Sequence, residues 1–174
     1  MNKRSTAAAV ATVGICAAII ECGKIVLAAL PNIEVVTLLV ALFGYTFGWA
    51  GVLSTVIFVM LEPIIWGFGA WCVSYFIYWP LVAVVFMLFG RGRVDNRLIF
   101  TASTVLLTVF FGLLTSFVDL LFYSQSFDNF FVRFFAYYLH GVVFYILQVS
   151  CNAVLFLFAF RPLLGRLKKI SKRD

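Results

Sequence analysis

Apolar residues run along this chain with few interruptions, and the breaks fall where Gly, Pro, Asn and charged residues collect. Six apolar stretches can be drawn, at 6–30, 33–48, 50–66, 71–89, 98–123 and 130–164. The second and third fall short of the about 20 residues a helix needs to cross a bilayer, so tilted or incomplete spans are expected there. Pro31 and Asn32 predict a turn after the first stretch, Gly67 and Gly69 after the third. Ser124, Gln125, Ser126, Asp128 and Asn129 make the connection after the fifth polar. There is no internal repeat and no low-complexity linker. The pattern predicts an all-α membrane protein, a bundle of six transmembrane helices forming a single domain over 1–174.

Charge orients the bundle. The basic residues gather at Lys3 and Arg4, at Arg91, Arg93 and Arg97, and in the tail from Arg161 to Arg173. With six spans these three groups share one side, which places 11 of the 13 Lys and Arg residues in the cytoplasm. Five spans would put the basic tail outside, against the rule that positive loops stay inside. Both termini are therefore expected to be cytoplasmic and the chain to sit in the cell membrane. The net charge of +6 reads as this flanking bias rather than as a nucleic-acid surface. Glu21 and Lys24 interrupt the first stretch and no small-residue cleavage site follows it, so it reads as a span, not a cleaved signal peptide.

Composition narrows the function. The chain is 64% hydrophobic and 11% charged, with mean hydropathy +1.10. Soluble domains run about 45–50% apolar and about 25% charged, so a water-soluble enzyme domain is excluded. Any activity must be built from membrane helices and short loops. No P-loop, G-x-S-x-G or H-E-x-x-H motif occurs. Cys16, Cys22, Cys72 and Cys151 lack metal or redox spacing, so no metal or other cofactor is expected.

Ionisable groups inside a membrane are costly, and each is a candidate for function. Most lie toward the predicted outer ends of the helices: Glu21 and Lys24 on the first, Glu34 on the second, Glu62 on the third, Asp119 on the fifth and His140 on the sixth, with Asn152 deeper. Glu21 and Lys24, three apart on one helical face, could simply pair. Glu34 could serve the N-terminus of its helix. Trp66, Trp71, Tyr75, Tyr78 and Trp79 could form an interfacial belt, but the i, i+3, i+4 spacing of Tyr75, Tyr78 and Trp79 makes a stripe able to line a pocket. Ala7, Ala11, Gly14 and Ala18 repeat a small-xxx-small spacing that lets another helix approach closely, either within the bundle or from a partner.

Two stretches, Leu30-Pro31-Asn32-Ile33-Glu34-Val35-Val36-Thr37-Leu38-Leu39 and Leu61-Glu62-Pro63-Ile64-Ile65-Trp66-Gly67-Phe68-Gly69-Ala70-Trp71, resemble the substrate-binding (S) components of energy-coupling factor transporters. The last stretch, with His140, Asn152 and Phe160-Arg161-Pro162-Leu163, resembles them too. Pro63 stands where that resemblance would put a small residue. The resemblance implies six membrane helices, cytoplasmic termini and an outward pocket for a vitamin or related micronutrient. It also implies a membrane coupling subunit and two ATPase subunits as partners, with Ala7 and Ala11 touching the coupling subunit.

The expected ligand-binding residues are Glu34, Glu62, Trp66, Trp71, Tyr75, Asp119, His140 and Asn152. Carboxylates with aromatic faces favour a neutral or cationic, donor-rich heterocycle: a queuine-like base, a pyrimidine or pyridine vitamin, or a corrinoid. Two other readings compete. A membrane scaffold would need no pocket. A membrane-embedded enzyme would need two of Glu62, Asp119 and His140 within hydrogen-bond reach around a wet cleft.

Overall fold

The computed structural model describes residues 3–30, 33–124 and 128–171. The turn expected at Pro31 and Asn32 lies outside them, as do Gln125 and Ser126. The described residues are helical almost throughout: α1 (Lys3–Leu27), α2 (Val36–Phe47), α3 (Trp49–Trp66), α4 (Trp71–Arg91), α5 (Arg97–Tyr123), α6 (Phe130–Leu155), a π-helical turn (Phe156–Phe160) and α7 (Arg161–Ser171). Five helical segments are long and apolar enough to cross a membrane: Thr6–Leu27, Trp49–Trp66, Trp71–Arg91, Arg97–Tyr123 and Phe130–Ile170. Large apolar side chains face outward along all of them, among them Val26, Ile64, Leu106, Phe131 and Val143. A solvent-exposed surface of that kind would aggregate in water, whereas hydrocarbon satisfies it.

Three sequence boundaries are corrected. The first helix ends at Leu27 rather than at 30. The second begins only at Val36, which leaves 12 residues and about 18 Å of helix, well short of a ~30 Å hydrocarbon core. The last apolar stretch does not stop at 164; α6, the π turn and α7 form one helical run to Ser171.

Local chemistry explains these ends. The Glu34 carboxylate accepts from the Thr37 backbone N–H at 2.8 Å and from the Thr37 hydroxyl at 2.5 Å, which caps the first turn of α2. A single residue, Gly48 at φ 59°, turns α2 into α3. Pro63 sits buried in the last turns of α3 without ending the helix, which runs on to Trp66. The Asn96 side chain caps α5 by accepting from Leu98 and Ile99 backbone N–H groups at 2.8 and 3.3 Å.

The core lies where α2, α4, α5 and the π turn meet. Phe86, Phe100, Phe156 and Phe160 are fully buried there, with ring centroids 4.8–6.0 Å apart. The widened π turn sets Phe156 and Phe160 nearly parallel, at 14°, on one side of the helix. One end of the bundle collects Arg91, Arg93, Arg97, Arg161 and Lys168. Here Arg161 reaches Asp95 through two hydrogen bonds of 2.8 and 3.2 Å, and Lys168 donates to the Tyr45 hydroxyl at 3.2 Å. The opposite end carries Glu21, Glu34 and Glu62.

Candidate functional site

Two polar layers meet at the acidic end. In the first, Lys24 of α1 donates to the Glu62 carboxylate of α3. Glu62 is fully buried, and Glu21, itself buried, has its carboxyl beside it. The Lys24 ammonium also lies 5.3 Å from the Trp66 ring centroid, 5.7 Å from Trp71 and 5.1 Å from Tyr75. These distances are within cation–π range. Glu21 and Lys24 therefore do not pair along their own helix. Lys24 crosses to α3, and neither Glu21 oxygen has a hydrogen-bond partner within the protein.

The second layer is deeper. Asn152 of α6 donates through Nδ2 to Glu34 at 3.3 Å, Thr37 at 3.5 Å and Thr108 at 3.1 Å. The Tyr78 hydroxyl lies 3.5 Å from Thr108 Oγ1, which itself donates to the Thr104 carbonyl at 2.9 Å. Four helices, α2, α4, α5 and α6, are thus tied by one buried network. The aromatic stripe of α4 faces inward. Tyr78 and Trp79 are buried, and Tyr75 packs at 5.7 Å on Trp79 and 6.1 Å on Phe111. Of the proposed belt, only Trp66 is largely exposed.

A cavity of about 190 Å³ joins the two layers, lined by Lys24, Glu34, Tyr75, Trp79, Phe111, Gln148 and apolar residues of α1 and the segment before α2. Buried polar groups normally find partners. Around this cavity, Glu62 Oε1, Trp79 Nε1, Gln148 Oε1 and Asn152 Oδ1 are buried with no hydrogen-bond partner within the protein. Together with the Glu21 carboxylate beside Glu62, these groups offer several acceptors and one donor. That is the arrangement of a small polar recognition site enclosed by aromatic walls.

Among the described residues, no group of three His, Cys, Asp or Glu side chains could hold a metal ion. No family model, curated protein or solved structure matches the chain.

Of the eight residues proposed from the sequence, six belong to these layers: Glu34, Glu62, Trp66, Trp71, Tyr75 and Asn152. Two do not. His140 is exposed on α6, twelve residues and so about three helical turns before Asn152. Asp119, half-buried on α5, does not line the cavity. The reason is the shape of the bundle. α2 starts deep, so the site sits at the level of Thr108 and Asn152, while the ends of α5 and α6 that carry Asp119 and His140 run on beyond it. The membrane-enzyme reading needed a pair from Glu62, Asp119 and His140, and no hydrogen bond joins any two of these.

Sequence reasoning passed over Thr37, Thr108, Phe111 and Gln148. A signal existed for two pairs: Thr104 and Thr108, and Gln148 and Asn152, each place two polar side chains four apart in otherwise apolar helices. Ala7, Ala11, Gly14 and Ala18 are exposed along α1, and a Cβ added at Gly14 would meet nothing within 4 Å. This small-residue face is not used for packing inside the bundle.

Proposed function

We propose that this chain is the substrate-binding membrane subunit of an energy-coupling factor type importer, taking up a small micronutrient. The single observation that carries the reading is the cavity between two buried polar layers, with aromatic walls and unsatisfied hydrogen-bonding groups. The lack of any nucleotide-binding motif in the sequence fits a subunit energised by separate ATPases. The resemblance of the stretches around Glu34 and Glu62 to S components supports the same reading.

In this reading the chain crosses the cell membrane six times, with α2 as the short member and both termini in the cytoplasm. The acidic end faces out and receives the ligand. The basic end, which carries Arg91, Arg93, Arg97, Arg161 and Lys168, faces in, as the positive-inside rule expects. The outward face of α1 at Ala7 and Ala11 is free to meet a coupling subunit, which in turn binds two ATPase subunits. A volume of about 190 Å³ is below the usual 300–1,000 Å³ of ligand pockets, which suits a single ring system and disfavours a corrinoid. Glu34, Glu62 and Glu21 outnumber Lys24, so a neutral or cationic heterocycle is favoured over an anion.

Native mass spectrometry of the gently solubilised protein from its own host tests this. A small-molecule mass increment together with bound coupling and ATPase subunits is the expected result. A bare chain, or one carrying only cell-wall or division proteins, would replace the importer reading with that of a membrane scaffold.

A further inference from the structure

The Lys24 ammonium sits in a box that would be called a cation site if a free molecule occupied it. Three aromatic rings, Trp66, Trp71 and Tyr75, surround it with centroids at 5.1–5.7 Å. Buried Glu62 accepts its hydrogen bond. Beside Glu62 lies Glu21, buried and with both oxygens unpartnered in the protein. Aromatic faces closed by a carboxylate are the standard means of holding organic ammonium groups, because ring quadrupoles and the carboxylate attract a cation that water hydrates weakly. Glu62 holds the ammonium and Glu21 lies beside Glu62, so the cluster carries one more acidic side chain than basic ones with Lys24 in place.

Lys24 is also the member of the box best able to leave. Its side chain is 21% exposed, against 0% for Glu62, and it hangs on a flexible four-carbon stem near the last turn of α1. The box opens directly onto the cavity, since Lys24 and Tyr75 line both.

We propose that Lys24 is a tethered stand-in for the charged head of the ligand, and that the box of Trp66, Trp71, Tyr75, Glu62 and Glu21 binds a small organic ammonium cation that displaces it. This rests on reading the cavity as the ligand pocket, and it names the ligand class. The tether makes Lys24 an internal competitor at high effective concentration. Any occupant must therefore outbid an amine that never diffuses away, which sets a threshold against weakly held cations.

Tetramethylammonium is the probe, with sodium chloride at matched ionic strength as the control. Tryptophan emission of the purified full chain in nanodiscs reads its binding. Lys24→Met with Glu21→Gln removes the competitor and leaves one carboxylate, Glu62, so the net charge of the cluster is unchanged. This double variant is expected to half-saturate at least about tenfold lower in probe than the wild type. Adding Trp71→Ala should abolish the response. Equal half-saturation in wild type and double variant, or a response that survives Trp71→Ala, overturns the proposal.

A measurement on the wild type does not depend on the variant folding. Acetylation of Lys24, followed by mass spectrometry with exposed Lys169 as the internal reference, should accelerate several-fold when the probe binds. An unchanged rate at a probe concentration that saturates the fluorescence change, or no fluorescence change at all, overturns the displacement. Probe binding by a chain that captures no coupling or ATPase subunit would uphold this inference and remove the importer reading. A captured module with no probe response would do the reverse.

Discussion

The seam between α2 and α4 and the box around Lys24 are built on opposite principles. Along the seam backbones nearly touch. A Cβ added at Gly44 would run into the Ala83 carbonyl, and one at Gly90 into the Tyr45 carbonyl. Val40, Ala41, Val82, Ala83 and Phe86 fill the rest with no exposure. In lipid there is little hydrophobic drive between helices, so close approach and dispersion must hold them together. Around Lys24 the logic reverses. Carboxylates, the Trp79 indole N–H and two amide oxygens are buried with part of their hydrogen-bonding capacity unused. The difference separates a region packed for stability from one whose buried polar groups are left partly unpaired, as candidate sites often are.

The largest expected effect is at the box. Lys24→Met leaves Glu62 buried beside Glu21 with no cation. Breaking a buried ion pair costs about 3–5 kcal/mol, and the partial exposure of Lys24 brings the expectation to about 3 kcal/mol. Thermal unfolding in detergent, followed by tryptophan emission, should show a correspondingly large drop, and adding Glu21→Gln should recover part of it. A Lys24→Met protein as stable as the wild type would mean that the pair contributes nothing to the bundle.

Next comes the seam. Gly44→Ala should destabilise by about 1–3 kcal/mol, because the methyl group meets backbone, which cannot rotate aside. Gly14→Ala, on the open face of α1, should leave the unfolding midpoint unchanged. If both substitutions behave alike, the contrast between packed and open small-residue positions fails.

A third test stays within α6. Asn152→Ala removes the donor shared by Glu34, Thr37 and Thr108 and should cost about 1–3 kcal/mol, with ligand binding weakened in parallel. His140→Ala, three turns away and exposed, should change neither stability nor binding. Loss of binding in His140→Ala would return that residue to the site.

The smallest effect is at the basic end. The Arg161 guanidinium, hydrogen-bonded to the Asp95 carboxylate, holds that carboxyl below its ordinary range. The folded pKa is lowered, so the contribution is fully present above the unfolded value and is lost as pH falls through the folded one. Both side chains are about half exposed, so screening by water leaves little. Asp95→Asn should shift the unfolding midpoint barely at neutral pH, and the small difference from wild type should vanish in acid. A large neutral-pH loss would make this tie part of the framework.

Much of the site was legible one helix at a time. The i, i+3, i+4 spacing of Tyr75, Tyr78 and Trp79 marked one stripe, open between a belt and a pocket wall, and the structure turns it inward, with Tyr78 and Trp79 buried. Glu62 stood out as a carboxylate in an apolar run, and it is fully buried. Glu34 proves to be both a partner of the first turn of α2 and a wall of the cavity. Asp119 near the end of α5 and His140 ten residues into α6 stand where the sequence puts them, yet neither lines the cavity. The cavity sits beside the start of α2, which is only 12 residues long, and that start could not be located from the sequence.

The division follows from the range of the forces. Helicity, the apolar exterior and the gathering of basic residues at three places are properties of local sequence, set by side-chain hydropathy and backbone satisfaction in lipid. The partner of Lys24 is not. A carboxylate three residues away on the same helix was available, yet the ammonium binds one 38 residues distant. Packing of α1 against α3, and of α3 against α4, brings Glu62 and Trp66 of α3 and Trp71 and Tyr75 of α4 around the Lys24 ammonium, and no single helix offers a carboxylate and three ring faces together. The sequence determined that these groups would lie in a membrane bundle; only the tertiary structure decided that they would close around one cation.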